Sequence, residues 1–411
     1  MAATAQPALP SQQPITLPEA LAAASKNIDA QIATLQLTGA RADVLAANHA
    51  PLPTLSTSVS QIDLQNGIGA GSILSDKRID KNIGVDWTWE RGNKRELRTR
   101  AANEAVNASL QDLSETLIQQ KLQASNAFFD LFAAQERTRQ ISAIADSAKQ
   151  LAAVASKRLA AGDLSVQDAA RSNIEAQRAQ NEVTLADQDR ARAELNLNLI
   201  LGMGSRRLSV LAPSNAPEAI SHKASSSTTN STTIVEQRPD VQAALARTLA
   251  ARAQLDNALA LKKNDITLGT AFDHFPGTSN RLLTFRMQMP LQLGSFGGYS
   301  FQGEIARSEA QLAIAEAALD RTRLAANNDV LRLNQELASS RLRAASYAQN
   351  ITIEAKRVAD LAELAYNKGA LSLTELLDAR RTWRATTLEA IAAQTDFEKS
   401  LSAWSIRYEQ K

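Results

Sequence analysis

The sequence predicts a mainly α-helical chain of two tandem repeats, each carrying a β-hairpin with the character of a transmembrane β-barrel segment, and three observations predict it. Residues 16–204 and 236–411 align as two copies of one unit. Gly and Pro are both absent from 93–161, 163–201, 304–368 and 370–411, so each copy holds two long uninterrupted helical stretches. Residues 283–293 alternate strictly between apolar and polar, and 83–89 do the same at the equivalent place in the first copy.

The duplication holds at the level of single residues. With Asn27 to Leu55 set against Arg238 to Ile266, the pairs Asp29/Asp240, Gln31/Gln242, Ala33/Ala244, Arg41/Arg252, Ala42/Ala253 and Ala47/Ala258 coincide. Farther on, Ala148-Lys149 matches Ala355-Lys356, and Gly162-Asp163-Leu164-Ser165 matches Gly369-Ala370-Leu371-Ser372. A self-match at a steady offset marks a repeated structural unit. Each unit therefore reads helix, β-hairpin, long helix, glycine turn, helix.

Residues 1–15 read as an extended N-terminal segment. They lack the basic start and apolar stretch of a signal peptide, so in an exported protein Met1 would stand where a leader has been removed. Thr16-Leu17-Pro18-Glu19 has the spacing of a capping box and opens the first helix. A helix filling 304–368 would run on the order of 100 Å, far beyond the three turns of an ordinary globular helix. Leu110, Leu113, Leu117, Ala124, Phe128, Leu131 and Phe132 recur at three- and four-residue steps, which makes a narrow packing stripe. Alanine-rich stretches at 143–161 and 310–318 let neighbouring backbones approach. Up to this point an elongated soluble coiled coil satisfies the pattern.

The hairpins, at about 54–91 and 265–294, go beyond it. Leu283, Phe285, Met287, Met289, Leu291 and Leu293 share one face, and Thr284, Arg286, Gln288, Pro290 and Gln292 the other. Ile83, Val85, Trp87 and Trp89 oppose Gly84, Asp86 and Thr88, and Leu55–Leu64 and Ile266–Phe275 alternate less cleanly. Strands of roughly ten residues are long enough to cross a bilayer when tilted. Four strands are too few to close a spanning barrel, which needs about eight, so a membrane reading requires several chains. The same alternation also suits a soluble sheet packed on one side. The first hairpin loop, around Gln65 to Arg78, is longer than the second, around His274 to Arg281, and its Gly67, Gly69, Gly71, Ser72 and Ser75 suit an exposed loop. Residues 205–235, with Pro213, Pro217 and the Ser/Thr run at 225–233, form a polar linker between the repeats.

Composition narrows the function. With 45 Lys and Arg against 43 Asp and Glu the net charge is +2, and no basic run points to nucleic acid. There is no cysteine in the sequence, so neither a disulfide nor a lipid-modified cysteine is expected. No stretch approaches 18 consecutive apolar residues. The three histidines, His49, His222 and His274, fall at a helix end, in the linker and in a hairpin loop without metal-ligand spacing. No nucleophile elbow, P-loop or dinucleotide-binding glycine pattern occurs in a suitable setting. No catalytic residue, cofactor or metal site is expected, and Met287 and Met289 belong to the apolar face of a strand.

The doubled order of helix, hairpin, long helix, G-x-L-S turn and helix, joined by a Ser/Thr-rich linker, resembles the TolC-like outer membrane factors of Gram-negative tripartite efflux systems. Arg238-Pro239-Asp240-Val241 and GALSLTELLDA from Gly369 to Ala379 are similar to recurrent family motifs. GDLSVQDAARSNIEAQRAQNE, from Gly162 to Glu182, looks like the branch associated with cobalt, zinc and cadmium export. The likeness covers nearly the whole chain. It implies a homotrimer in the outer membrane whose chains pool their strands into one twelve-stranded barrel, polar faces inward and apolar faces to lipid, continued by a helical tube through the periplasm. It further implies partnership with a periplasmic adaptor and an inner-membrane RND pump, as the exit duct for divalent metal cations. The same duct for drugs or secreted proteins is the alternative cargo reading, and a soluble coiled-coil scaffold is a third.

The resemblance also assigns residues. Glu375 and Asp378 match, through G-x-x-[ST]-x-x-[DE]-x-x-D-A, the acidic rings of the TolC periplasmic constriction, where three-fold symmetry would crowd like charges. Gly162, Leu164, Ser165, Gly369, Leu371 and Ser372 become the adaptor-docking tips, with the leucines and serines exposed. Tyr366 matches a tyrosine that holds the TolC tip closed, but Leu371 stands where its arginine partner would be, so Arg171, Arg380 or Arg381 would have to take that part. By structure alone, Ser165 and Ser372 are placed to cap the helices after the turns, with Asp168 and Glu375 three residues on.

Overall fold

The computed structural model describes residues 13–60, 62, 65, 67, 69, 70, 79–204, 206–211, 231–275, 279–290 and 299–409. Most of the long hairpin loop, with Gly71, Ser72 and Ser75, and most of the linker, with Pro213 and Pro217, lie outside these, as do 1–12 and 291–298. The elements in order are β1 (Gln13–Ile15), α1 (Leu17–Ala24), α2 (Ile28–Ala47), β2 (Thr54–Ser60), β3 (Asp80–Trp89), α3 (Lys94–Ala160), α4 (Val166–Leu201), β4 (Leu208–Val210), α5 (Ser231–Glu236), α6 (Pro239–Ala260), β5 (Ile266–Phe275), β6 (Ser279–Gln288) and α7 (Gln302–Ser346). A π-turn at Tyr347–Ile351 leads into α8 (Thr352–Asn367), and α9 (Leu373–Trp404) ends in a second π-turn at Ser405–Glu409. No helix among the described residues is long and apolar enough to cross a membrane.

The chain divides into two compact units. The first comprises 1–33, 113–236 and 325–411. Its core gathers Ile15, Ala20, Ala24, Ala124, Phe128, Phe129, Leu131, Leu197, Leu201, Leu208 and Val210. Phe128 and Phe129 meet edge to face, ring centroids 5.5 Å apart, and each fully buried phenyl contributes about 2 kcal/mol. Strands β1 and β4 pair in parallel, Gln13 opposite Leu208 and Ile15 opposite Val210. Side chains from the long helices satisfy the backbone of this short pair: Leu208 N donates to Glu194 Oε1 (2.7 Å) and Val210 N to Gln135 Oε1 (3.3 Å). Thus the N-terminal segment and the start of the linker, read from sequence as extended and polar, are stitched together here. At the other end of the chain the buried Arg407 pairs with Glu115 on α3 at 2.7 Å, and Ser402 shares a buried 2.6 Å hydrogen bond with Ser125.

The 67 residues of α3 are one uninterrupted helix. Its counterpart in the second repeat is not, because the π-turn at Tyr347–Ile351 interrupts 302–367 although no Gly or Pro marks the place. Tyr347 there donates its hydroxyl to Glu389 on α9 at 3.0 Å, a tertiary contact that the local sequence does not announce.

The second unit comprises 34–112 and 237–324. Helix α6 buries Val241, Ala243, Ala244, Ala246, Ala250, Ala251, Ala253, Ala258 and Ala260, a small-residue surface that brings backbones close. Strands β2, β3, β5 and β6 form one antiparallel sheet in that order. β6 begins earlier and stops earlier than the alternating run 283–293, at Ser279 and Gln288. The hairpins consequently differ more than the sequence suggested: β2 ends at Ser60 and β3 starts at Asp80, whereas β5 ends at Phe275 and β6 starts at Ser279. His274 lies inside β5, opposite Lys81, and not in a loop. All four strands carry their hairpin loops at one end and join helices at the other, so function has two places to look: the sheet faces and the helical turns.

Candidate functional site

The sheet is inverted relative to a soluble one. Its apolar face is the open one: Leu55, Ile83, Val85, Trp87, Trp89, Leu268, Phe272, Leu283, Phe285 and Met287 are all between 44% and 79% exposed. Cross-strand register stacks them in rows, Leu55–Val85–Thr270–Phe285 and Trp87–Leu268–Met287. The opposite face is polar and internally bonded. Arg286 holds Asp86 with Nη2 2.7 Å from Oδ2, Thr284 donates to Asp273 at 2.6 Å, Asn82 also donates to Asp273, and Thr88 meets Thr267 at 3.0 Å. Asp273 and Ala271 are buried although they sit on that polar side. An apolar patch of this extent has no place on a soluble monomer, and charged groups on the other face suit a wet interior.

At the helical turns each glycine closes a Schellman motif. Gly162 (φ +83°) donates to Leu159 O while Asp163 donates to Arg158 O; Gly369 (φ +72°) donates to Tyr366 O while Ala370 donates to Ala365 O. Ser165 then caps α4, accepting from Asp168 N at 3.0 Å. Ser372 caps α9 reciprocally: it accepts from Glu375 N at 3.3 Å, and Glu375 Oε2 accepts from Ser372 N at 3.0 Å and Oγ at 2.7 Å. Losing either cap costs about 1 kcal/mol. The Ser372 hydroxyl, and then its N–H, hold the Glu375 carboxyl below the usual range. Within one protomer this opposes the upward push expected from three-fold crowding.

The two turns are unequal in packing. Tyr366, Leu373, Leu376 and Leu377 form a buried cluster against which Leu371 packs. The first turn has Ala169 and Ala170 where the second has Leu376 and Leu377, and its Val166, the counterpart of the buried Leu373, is 72% exposed. Ser165 and Ser372 are exposed, but Leu164 and Leu371 are half-buried rather than open. Sequence reasoning singled out the leucines and missed Val166, which directly follows the capping serine.

The arginines nominated at the turns are all engaged, each differently. Arg381 pairs with Glu175 on α4 at 2.8 Å and lies 3.9 Å from the exposed Asp378. Arg380 pairs with Glu363 on α8 at 3.1 Å, and Arg171 donates to Thr374 Oγ1 at 3.1 Å. Arg384 adds a 3.0 Å pair with Glu182. Contacts of Arg171, Arg381 and Arg384 therefore lace α4 of the first hairpin to α9 of the second. The hydrogen bond from Arg381 lowers the Glu175 carboxyl, and the same bond raises the guanidinium. These helices, with α3 and α8, enclose a cavity of about 80 Å³ lined by Leu151, Ser172, Glu175, Glu363, Arg381 and Trp383 among others. Tyr366 makes no hydrogen bond to any of the nominated arginines. Arg158, at the end of α3, stacks 5.2 Å from its ring centroid, and the buried Tyr366 hydroxyl has no hydrogen-bond partner. The place of Arg158 one turn before Gly162 was the only sequence signal for it. Among the described residues no group of three or more His, Cys, Asp or Glu is arranged to hold a metal.

No protein-family model matches the chain. It is similar to the cobalt-zinc-cadmium resistance protein CzcC of Cupriavidus metallidurans, 24% identical over 384 residues spanning 90% of this chain and 84% of that protein. It is also similar to protein CyaE of Bordetella pertussis, at 24% identity over 75% of this chain and 65% of that one. Among solved structures, the outer membrane protein VceC of Vibrio cholerae matches with a TM-score of 0.75 at 15% identity over 95% of each chain. CusC, described as forming a transmembrane channel, matches with a TM-score of 0.72 at 17% identity over 99% of this chain and 98% of its own. The chain thus shares the fold of the outer membrane proteins VceC and CusC and is similar in sequence to CzcC, with a sheet whose apolar face is open and two capped hairpin turns.

Proposed function

We propose that three copies of this chain form the outer-membrane exit duct of a tripartite RND-type efflux system, and that its cargo is divalent heavy-metal cations. The observation that carries the duct is the inverted sheet: an exposed apolar face for lipid and a bonded polar face for water, on strands too few to close alone. The cargo rests on similarity to CzcC across 90% of the chain. A duct needs no ligand set of its own, because it passes what an inner-membrane pump delivers. Its role is neither catalytic nor cofactor-dependent.

In this reading β2, β3, β5 and β6 of each protomer supply a third of a twelve-stranded barrel, and the long helices continue the conduit through the periplasm. The turns at 162–165 and 369–372 form its inner end, where the adaptor docks. Glu375 and Asp378 ring the constriction, and the ties from α4 to α9, together with Arg158 on Tyr366, hold it narrow.

Deleting the gene and restoring it in trans tests the assignment. Zinc, cobalt or cadmium tolerance should fall on deletion and return with the wild-type copy. Loss of tolerance to organic drugs with metal tolerance intact would move the cargo and leave the duct standing.

A further inference from the structure

The open apolar face of the sheet carries charge at one end alone. Lys81 on β3 stands opposite His274 on β5, and Arg281 on β6 comes beside His274 where the β5–β6 register shifts between Asp273 and Phe275. Lys81 and Arg281 lie two residues from Ile83 and Leu283 and so share their face. The carboxylates of the same strands, Asp80, Asp86 and Asp273, fall on the polar side. Lys81 Nζ is shielded from solvent and has no hydrogen-bond acceptor, and Arg281, which is exposed, has no ion pair among the described residues.

The opposite end of that face is built differently. Trp87 and Trp89 close it without charge, and the ionic groups just beyond are paired, Lys94 with Asp265 at 2.8 Å and Arg98 with Glu90 at 2.5 Å. That end joins the helices. The cationic end is the one bearing the hairpin loops.

Long cationic side chains at the edge of an apolar band lay their stems along it and place their heads at the headgroup level. The exposed Arg281 guanidinium there presents donors suited to phosphate oxygens in bidentate fashion, and the shielded Lys81 ammonium beside it has its donors unsatisfied. Carboxylates kept to the other face leave no anion of these strands to compete.

We propose that Lys81 and Arg281, with His274 between them, form a rim that binds the phosphate groups of an anionic lipid headgroup in the leaflet facing the hairpin loops. This rests on the reading of the sheet as membrane-spanning with its apolar face to lipid. Each cation near an anionic surface is worth roughly fivefold in affinity, so the pair amounts to roughly thirtyfold.

The test titrates the detergent-solubilised full chain with diphosphoryl lipid A, with the same lipid stripped of its phosphates, and with inorganic phosphate, counting bound molecules by native mass spectrometry. The diphosphoryl lipid should bind roughly thirtyfold more tightly than the stripped one, the K81Q/R281Q variant should lose that preference, and K81R/R281K should keep it. Equal binding of the two lipids by the wild-type chain overturns the proposal, and so does an unchanged preference in K81Q/R281Q. Inorganic phosphate bound with the same residue dependence overturns the lipid assignment. Should K81Q/R281Q not assemble, the two lipids on the wild-type chain decide the question. A wild-type chain that stays monodisperse without detergent overturns the membrane-spanning reading instead, whereas a detergent-requiring trimer without phosphate preference overturns the rim alone.

Discussion

Asp86 on β3 and Arg286 on β6 pair across the strand that lies between them, directly over Gly269 of β5. The register places Asp86 opposite Gly269 and Gly269 opposite Arg286, so the guanidinium must span two strand spacings to reach the carboxylate. It does so with contacts of 2.5, 2.7 and 3.2 Å. A Cβ built on Gly269 would collide with Asp86 Oδ1, so glycine is what leaves room for the strap.

Gly269→Ala is therefore expected to weaken the sheet by about 1–3 kcal/mol, the usual range for overpacking. Heating the proposed trimer before electrophoresis should show the variant dissociating at a lower temperature than wild type. Adding Asp86→Ala to Gly269→Ala should recover part of that loss, because the colliding group is gone. A double variant as weak as the sum of the singles would show that the strap and the glycine are independent.

Sequence alone made the long helices, the alternating strands and both capped turns legible, because each is written in local terms: period, Gly/Pro punctuation, or a Ser three residues before an acid. The β1–β4 pair was not legible. Three-residue strands such as Gln13–Ile15 and Leu208–Val210 show no periodicity, and they exist because Glu194 and Gln135 reach their backbones from distant helices. The same holds for the π-turn at Tyr347 and for Arg158 on Tyr366, which depend on contacts far apart in sequence. Leu371 illustrates the reverse error: a leucine at a turn reads as exposed until Leu376 and Leu377 are seen packing beside it.

That packing reshapes the probe of adaptor docking. Leu371→Asp would place charge against a buried cluster and disturb the turn itself. Leu164→Asp with Val166→Asp targets the first turn, where alanines leave the apolar side chains without such a cluster. The variant should still assemble as a membrane trimer and lose adaptor pull-down and metal tolerance together, by tenfold or more in the adaptor concentration needed. Assembly with undiminished adaptor binding would remove the first turn from the docking surface.

At the proposed constriction, Glu375→Ala with Asp378→Ala should raise cation conductance in planar bilayers and reduce cation preference. The pH dependence has a definite sign. The Ser372 hydroxyl and N–H favour the ionised form of Glu375 and keep its titration below the ordinary carboxylate range. Cation preference should accordingly persist as pH falls through that range and disappear only on further acidification. Ser372→Ala should shift the loss toward higher pH. A wild-type preference that already vanishes near neutrality would mean that crowding between protomers outweighs the cap.

In the proposed duct the polar face of the four-stranded sheet lines a water-filled lumen and the apolar face meets lipid. A chain without cysteine permits a clean measurement. Single cysteines at Ser58 or Gln288 on the polar face, and at Phe285 or Met287 on the apolar face, can be offered a hydrophilic, membrane-impermeant maleimide in reconstituted membranes. Labelling of Ser58→Cys and Gln288→Cys with a fall in conductance, and protection of Phe285→Cys and Met287→Cys, is the predicted result. Rapid labelling of the Phe285 and Met287 positions, with the Ser58 and Gln288 positions protected, would contradict it.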